Sequence, residues 1–214
     1  MEIIERLAAH GVVPVIEIED AGAALPLADA LAAGGLPVAE ITFRTAAARD
    51  AMAAIAAHRP DMLVGAGTVL QPGQVYEAQE AGARFGLAPG MHAAVVARAA
   101  EAGLPFVPGV MTPSEIEAAL AAGSTIVKFF PARAAGGPDT LRTISGVYAH
   151  TGLAYVPTGG VTLDTLGDWL ALPAVRAVGG TWIAPRDDIA AGRWEAISER
   201  ARAAVASFAA LRGA

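Results

Sequence analysis

The stretch FVPGVMTPSEIEAALAAGSTIVKFF, residues 106–130, contains one complete strand–helix–strand unit. The apolar run Phe106–Pro108 predicts a strand. Thr112-Pro113-Ser114-Glu115 then predicts a helix start, with a capping threonine, a proline at the first helical position and a capping-box glutamate. Ala122-Gly123 predicts the helix end, because glycine readily adopts the left-handed conformation that closes a helix. The run Ile126–Phe130 predicts the second strand.

The same unit repeats along the whole chain, without a linker or a low-complexity segment between copies. The Ala-Gly helix end recurs at Ala33-Gly34, Ala81-Gly82 and Ala102-Gly103. Eight strands are predicted, at Val12–Ile16, Val38–Phe43, Leu63–Thr68, Phe85–Ala88, Phe106–Pro108, Ile126–Phe130, Ala154–Thr158 and Ala177–Thr181. Eight successive βα units predict an α/β protein, a single-domain (β/α)8 TIM barrel over residues 1–214.

An open, doubly wound sheet is the alternative to a closed barrel. Such a sheet more often has a Gly-rich turn after its first strand, and Val13-Pro14-Val15-Ile16-Glu17 offers none. The closed barrel is therefore favoured. Ile3, Ile4 and Leu7 additionally suggest a short N-terminal helix that closes the bottom of the barrel.

Composition and charge argue against several classes of protein. The net charge of −6, without any basic run, argues against nucleic-acid binding, which needs clustered lysines and arginines. The chain contains no cysteine, and its four histidines lie too far apart in the sequence to predict a metal site. No secretory signal or membrane span is predicted. We therefore expect a soluble, cytoplasmic protein that binds no metal, no nucleic acid and no membrane.

Lys128 is the only lysine in the chain, and the other fourteen permanent cations are arginines. It lies in the strand candidate Ile126–Phe130, among bulky apolar neighbours. One interpretation is that its stem runs along apolar surface while its amine reaches water. The other is a buried amine, whose charged form is disfavoured by desolvation, and the neutral amine is the nucleophile of Schiff-base chemistry.

Side-chain alternation predicts which residues face the barrel interior, where the chemistry of such barrels lies at the C-terminal ends of the strands. Glu40 and Lys128 both fall on inward positions of apolar strands. A buried structural ion pair and a catalytic pair both fit this spacing. Arg44 lies on the same strand face as Glu40, where its two parallel N–H donors can bind a carboxylate. Thr68, at the end of the third predicted strand, provides a hydroxyl group.

Two Gly-Gly turns that open towards helices are predicted at the ends of the last two strands, at Gly159-Gly160 and Gly179-Gly180. Backbone N–H groups without side chains can approach an anion, and the loops after strands seven and eight are the usual phosphate site of such barrels. Paired glycines can also serve only as tight turns, but two adjacent pairs favour phosphate. With an amine, a carboxyl group and an arginine nearby, the pattern predicts a lyase acting on a phosphorylated 2-keto acid.

These residues fall in blocks that resemble the class I aldolases of 2-keto-3-deoxy-6-phosphogluconate (KDPG), which often also accept 4-hydroxy-2-oxoglutarate (KHG). The resemblance extends over nearly the whole chain. Its blocks are Val12-Val13-Pro14-Val15, Ala39-Glu40-Ile41-Thr42-Phe43-Arg44-Thr45, Val64-Gly65-Ala66-Gly67-Thr68-Val69, Leu87-Ala88-Pro89-Gly90, Val107-Pro108-Gly109-Val110, Lys128-Phe129-Phe130-Pro131-Ala132 and Pro157-Thr158-Gly159-Gly160-Val161.

The resemblance implies a Schiff base on Lys128 and proton transfer by Glu40. It implies that Arg44 and Thr68 hold the pyruvyl carboxylate. Pro89, Phe130 and Thr158 would form the pocket wall, and Gly159, Gly160, Gly179, Gly180 and Thr181 would hold the phosphate. It further implies a homotrimer of the Entner–Doudoroff pathway that needs no cofactor. Serine is commoner in the family where Thr181 stands, but the hydroxyl is retained.

Three other functions are compatible with parts of this pattern. The sister family that acts on the galactonate epimer usually has a Pro-Leu-Asn-type block after the glutamate, whereas Thr42-Phe43-Arg44-Thr45 stands here. A phosphate-binding epimerase or isomerase would use paired carboxylates and would need no reactive amine. A non-catalytic barrel would serve as a binding or assembly module.

Overall fold

The computed structural model describes residues 3–213, in which short strands alternate with helices. The strands in this range are β1 (Val12–Ile16), β2 (Val38–Thr42), β3 (Leu63–Gly67), β4 (Gly86–Leu87), β5 (Phe106–Val107), β6 (Gly109–Val110), β7 (Ile126–Phe129), β8 (Ala154–Pro157) and β9 (Val178–Gly180). The α-helices are α1 (Ile3–His10), α2 (Ala24–Ala33), α3 (Ala48–His58), α4 (Pro72–Glu80), α5 (Ala93–Ala102), α6 (Pro113–Ala121), α7 (Gly137–Val147), α8 (Leu166–Leu170), α9 (Arg186–Ala190) and α10 (Trp194–Gly213).

Parallel pairing joins these strands into a ring. One sheet has the order β5-β4-β3-β2-β1-β9, and a second has the order β6-β7-β8. β5 and β6 are two halves of one barrel strand on either side of Pro108, whose carbonyl accepts the N–H of Lys128 at 2.8 Å. A parallel bridge from Thr158 to Gly179 closes the ring between β8 and β9. The predicted α/β barrel is therefore confirmed, and the open sheet is ruled out.

The strand ends differ from the prediction in a consistent way. β2, β3, β4, β7, β8 and β9 each stop one residue before the predicted end. Thr68 shows this most clearly, since its φ of 55° lies in the left-handed region rather than the extended one. The fifth predicted strand is interrupted at Pro108 and continues as β6, because proline has no N–H to donate to a sheet ladder.

The N-terminal helix α1 lies at the end of the barrel where the strands begin. Leu7 is fully buried, and the N–H of Gly11, just before β1, bonds the Leu7 carbonyl at 3.0 Å. Ile3 lines a cavity of about 490 Å³ together with Leu104, Phe106 and Ile126, which flank or belong to the starts of β5 and β7. The side chain of Ile4, also predicted to belong to this helix, lies outside the described residues. The loops that follow the strands, at the opposite end, remain uncovered by α1.

None of the helices between residues 3 and 213 has both the length and the apolar composition that crossing a bilayer requires.

Candidate active site

Lys128 and Glu40 meet in the middle of the barrel. Their strands, β7 and β2, stand on opposite sides of the ring, so the two side chains approach each other across the interior. The Nζ atom of Lys128 lies 3.1 Å from Oε1 of Glu40, and the two residues are only 5% and 1% exposed. Charges buried to this degree are costly unless they are paired, so each residue depends on the other. Lys128 does not reach the solvent, which rules out the surface-lysine interpretation.

One oxygen of the Glu40 carboxylate has no partner. Oε2 is buried, and no described residue donates a hydrogen bond to it. An unsatisfied buried acceptor of this kind costs about 1–3 kcal/mol, more if it is charged. Oε1 of Glu40 thus accepts a hydrogen bond from the Lys128 amine. Oε2 can accept a proton, or a hydrogen bond from a hydroxyl group.

Gly67, the last residue of β3, makes room for Glu40. A Cβ atom at position 67 would overlap Oε1 of Glu40 and would lie 2.7 Å from its Cγ. Contacts this close do not occur between real side chains, so any larger residue would displace the carboxylate. The block Gly65-Ala66-Gly67 contains this glycine because the carboxylate needs the space that its missing side chain leaves.

The three predicted wall residues follow the ends of their strands. The ring centre of Phe130 lies 5.7 Å from Nζ of Lys128. Thr158 is buried beside the end of β8, and the backbone at Gly109 passes so closely under Pro89 that a Cβ there would overlap the Pro89 carbonyl. Pro89, Phe130 and Thr158 therefore all lie at strand ends on the side of the barrel to which the amine points.

No hydrogen bond joins Arg44 and Thr68 in the described part of the chain. Arg44 is 52% exposed, and its Nη2 atom instead lies 2.7 Å from Oε2 of Glu17. Glu17 is 17% exposed and is also 3.1 Å from Nη1 of Arg186, at the start of α9. An arginine at the open end of the barrel pairs with the nearest available carboxylate, and here that group follows the neighbouring strand β1.

Glu17 was not predicted as a site residue. It directly follows β1, while Arg44 follows the adjacent β2 and Arg186 follows β9 on the other side. The positions after neighbouring strands of a barrel meet at the same edge. This topological relation, rather than any local motif, was the signal that could have identified Glu17.

The first Gly-Gly pair forms a turn, as predicted. Gly159 and Gly160 have φ values of 97° and 77°, which favour glycine. Among the described residues, no group accepts a hydrogen bond from the N–H of Gly160 or of Val161. These two amides are therefore available to bind an anion.

The second pair does not form a turn, and the prediction was wrong on this point. Gly179 and Gly180 belong to β9 and are buried. A Cβ at Gly179 would overlap the Thr158 hydroxyl, and one at Gly180 would overlap the ring of Trp182. Their missing side chains allow close packing of neighbours, and the exposed Thr181 follows them at the strand end.

Three comparisons with known proteins point to one family. The family model described as KDPG and KHG aldolase matches residues 3–200. A 2-dehydro-3-deoxy-phosphogluconate aldolase of Haemophilus influenzae is 44% identical over 201 residues, which cover 94% of each chain. A KHG/KDPG aldolase of Escherichia coli K12 is 43% identical over 194 residues, which cover 91% of this chain and 90% of the relative.

A solved structure is similar over the same length. The KDPG aldolase from Legionella pneumophila, crystallised with pyruvate captured at low pH as a covalent carbinolamine intermediate, has a TM-score of 0.90 at 41% identity. The match covers 95% of this chain and 98% of that one.

Proposed function

Because the chain belongs to the family of KDPG and KHG aldolases, and is thus a carbon–carbon lyase, we propose that it cleaves KDPG to pyruvate and glyceraldehyde 3-phosphate. We include cleavage of KHG to pyruvate and glyoxylate in the proposal. The observation that carries it is the contact between the buried Lys128 amine and the buried Glu40 carboxylate inside the barrel. The proposal treats residues 1–214 as one aldolase domain.

In the proposed reaction, Lys128 passes a proton to the adjacent Glu40 carboxylate, and the resulting neutral amine attacks the C2 ketone of the substrate. Glu40 then returns this proton to the hydroxyl group of the carbinolamine, which leaves as water, and is again a carboxylate. Loss of water leaves an iminium, which acts as an electron sink. The Glu40 carboxylate then removes the proton of the C4 hydroxyl, and the C3–C4 bond breaks. The aldehyde leaves, and the remaining enamine is protonated at its methylene carbon and hydrolysed to pyruvate. The unpaired Oε2 of Glu40 supports its proposed role, because it is an acceptor with no competing donor among the described residues.

The substrate carboxylate would bind Arg44 and Thr68 in this proposal. Arg44 is half exposed and can turn, but it has to exchange Glu17 for the substrate. Glu17 would remain paired with Arg186 after the exchange, so no carboxylate is left without a cation. Pro89, Phe130 and Thr158 would form the pocket wall beside the reacting carbons.

The phosphate group would bind at the ends of β8 and β9. The free N–H of Gly160 and the turn at Gly159 support this placement, and Thr181 adds an exposed hydroxyl beside them. Gly179 and Gly180 would contribute indirectly, since they let Thr158 and Trp182 pack closely under this loop.

We further propose a cytoplasmic homotrimer that acts in the Entner–Doudoroff pathway. Two large apolar residues support an assembly: Leu70 and Met111 are 45% and 44% exposed. Both follow strand ends, β3 and β6, and so lie at the same end of the barrel. A contiguous apolar patch at this end would mark a surface where subunits meet.

A pyruvate-release assay coupled to lactate dehydrogenase tests the proposed activity. The three substrates are KDPG, its galactonate epimer and KHG, and a Lys128→Met variant serves as the control. We expect the highest kcat/KM with KDPG, because Thr42-Phe43-Arg44-Thr45 favours the gluconate stereochemistry, and no turnover by the variant. A preference for the galactonate epimer would mean that this epimer, and not KDPG, is the substrate. Equal activity of Lys128→Met and the parent would refute the mechanism.

A further inference from the structure

Arg133 lies beside the turn in which the phosphate is proposed to bind. It follows β7 in the loop that leads to α7, and its N–H donates to the carbonyl of Gly159 at 2.9 Å. The preceding N–H, of Ala132, donates to Thr158 at 2.8 Å. These two bonds fix the loop after β7 against the loop after β8.

The stem of Arg133 covers the bare face of Gly160. A Cβ atom at Gly160 would lie 2.6 Å from Cβ of Arg133 and 3.0 Å from its Cδ. The arginine side chain thus occupies the space that a side chain at position 160 would need. The Arg133 stem up to Cδ therefore lies against the same turn whose Gly160 and Val161 amides are unpaired among the described residues.

The guanidinium of Arg133 forms no ion pair with the rest of the described chain. Arg133 is exposed, and no carboxylate in residues 3–213 pairs with it. Three other exposed arginines are paired, Arg44 with Glu17, Arg49 with Glu80 and Arg59 with Asp29, whereas Arg84 and Arg176 also have no ion pair among the described residues but precede their strands at the opposite end of the barrel. Arg133 is therefore a cation without an internal counter-charge, held beside an anion-binding turn.

The proposed phosphate site otherwise contains only uncharged groups, namely glycine amides and the Thr181 hydroxyl. A phosphate ester carries close to two negative charges at neutral pH. Arginine matches phosphate oxygens with two parallel N–H donors, and such charge-assisted bonds are about twice as strong as neutral ones. The turn therefore needs a positively charged side chain nearby to balance the charge of a phosphate dianion.

We propose that Arg133 binds the phosphate of the substrate and makes the enzyme selective for phosphorylated 2-keto acids. This inference rests on the proposed function, because it assigns the phosphate to the turn at Gly159 and Gly160. The guanidinium acts on the end of the substrate remote from Lys128. It therefore increases binding of phosphorylated substrates and leaves chemistry on the pyruvyl part unchanged.

The test compares two reactions of an Arg133→Gln variant. With KDPG we expect kcat/KM to fall about 10- to 100-fold, mainly through KM, as expected for the loss of a charged hydrogen bond. With pyruvate, which has no phosphate, we expect an unchanged rate of methyl-proton exchange in D2O followed by NMR. Arg133→Lys retains the charge but loses the two parallel N–H donors. Its kcat/KM with KDPG should therefore lie between that of the parent and that of Arg133→Gln.

Arg84→Gln is the matched control. Arg84 is exposed, has no ion pair within residues 3–213 and precedes β4 at the opposite end of the barrel, so the variant has the same change in net charge. Three results would overturn the inference: a normal kcat/KM of Arg133→Gln with KDPG, an equal loss in Arg84→Gln, or a parallel loss of pyruvate exchange. Failure of the proposed function is distinguishable, because the parent enzyme would then exchange no pyruvate protons.

Discussion

Lys128 and Glu40 compensate each other inside the barrel, and neither is stable there alone. Removing one partner of a buried pair typically costs about 3–5 kcal/mol, because the other charge is left without compensation. The two-residue alternation of side chains along strands was enough to predict that both face inward. It could not predict that their strands stand opposite one another at a distance both side chains can span. That depends on the number of strands in the ring, which only closure fixes.

Replacing Glu40 by Gln tests its role as the proton acceptor. The amide keeps the size of the side chain but is not a base, so we expect kcat with KDPG to fall by roughly 10²–10⁴-fold. Circular dichroism should show an unchanged fold. Glu80→Gln is the control, since Glu80 is 68% exposed and, within residues 3–213, pairs only with Arg49. A Glu40→Gln enzyme with near-normal turnover would remove Glu40 from proton transfer.

Gly67→Ala tests whether the space beside Glu40 matters for activity. The added methyl group would overlap the carboxylate, so the side chain has to move away from Lys128. We expect kcat to fall about 100-fold, because small displacements of catalytic groups have effects of this order. Gly146→Ala, in α7, is the control, because a Cβ there meets nothing within 4 Å. Full activity of Gly67→Ala would show that Glu40 tolerates displacement.

At the scale of elements, helix ends were easier to predict than strand ends. The start of α6 was predicted correctly because its signals are local: Glu115 accepts hydrogen bonds from the N–H groups of Met111 and Thr112, both at 2.8 Å. The role of Gly179 and Gly180 was misjudged, because their neighbours Thr158 and Trp182 come close only in the folded barrel. A pair of glycines has the same appearance in the sequence whether it makes a turn or admits a neighbouring side chain.

The capping box of α6 gives a pH-dependent prediction. Burial raises the pKa of the Glu115 carboxyl, but the bonds from Met111 and Thr112 outweigh burial, and its pKa is lowered from 4.5. The carboxylate therefore contributes its full stabilisation at pH values above 4.5, the pKa of the group in the unfolded chain. This stabilisation is lost as the pH falls through the lower pKa of the folded protein. We expect Glu115→Ala to lower the free energy of unfolding by about 1 kcal/mol at pH 7.

Urea unfolding at several pH values measures this effect. The difference between the parent and Glu115→Ala should shrink as the buffer is made more acidic than the normal glutamate range. A difference that stays constant into acid would mean that the variant loses packing rather than a charged cap.

For the whole molecule, ring closure determines which loops meet. Arg186, Glu17 and Arg44 follow β9, β1 and β2, and together they link three neighbouring loops at the open end. Two of these residues are more than 160 positions apart in the chain. No local pattern could have predicted this link, because it exists only once the last strand pairs with the first.

Glu17→Gln tests whether Glu17 competes with the substrate for Arg44. Exposed ion pairs contribute up to about 1 kcal/mol, so removing the competitor should lower the KM for KDPG by up to about fivefold. Glu19→Gln is the control, because Arg186 is the one ion-pair partner of Glu19 in the described part of the chain. A raised KM in Glu17→Gln would mean that Glu17 instead holds Arg44 in its binding position.

The most direct test of the account is reduction with borohydride in the presence of pyruvate, followed by intact mass and peptide mapping. Lys128 is the only lysine, so its peptide and the N-terminus are the only sites with a primary amine. We expect one reduced pyruvyl group per chain, located on Lys128 and absent from Lys128→Met. A protein that stays unmodified at Lys128, or is modified only at its N-terminus, would contradict the Schiff-base mechanism.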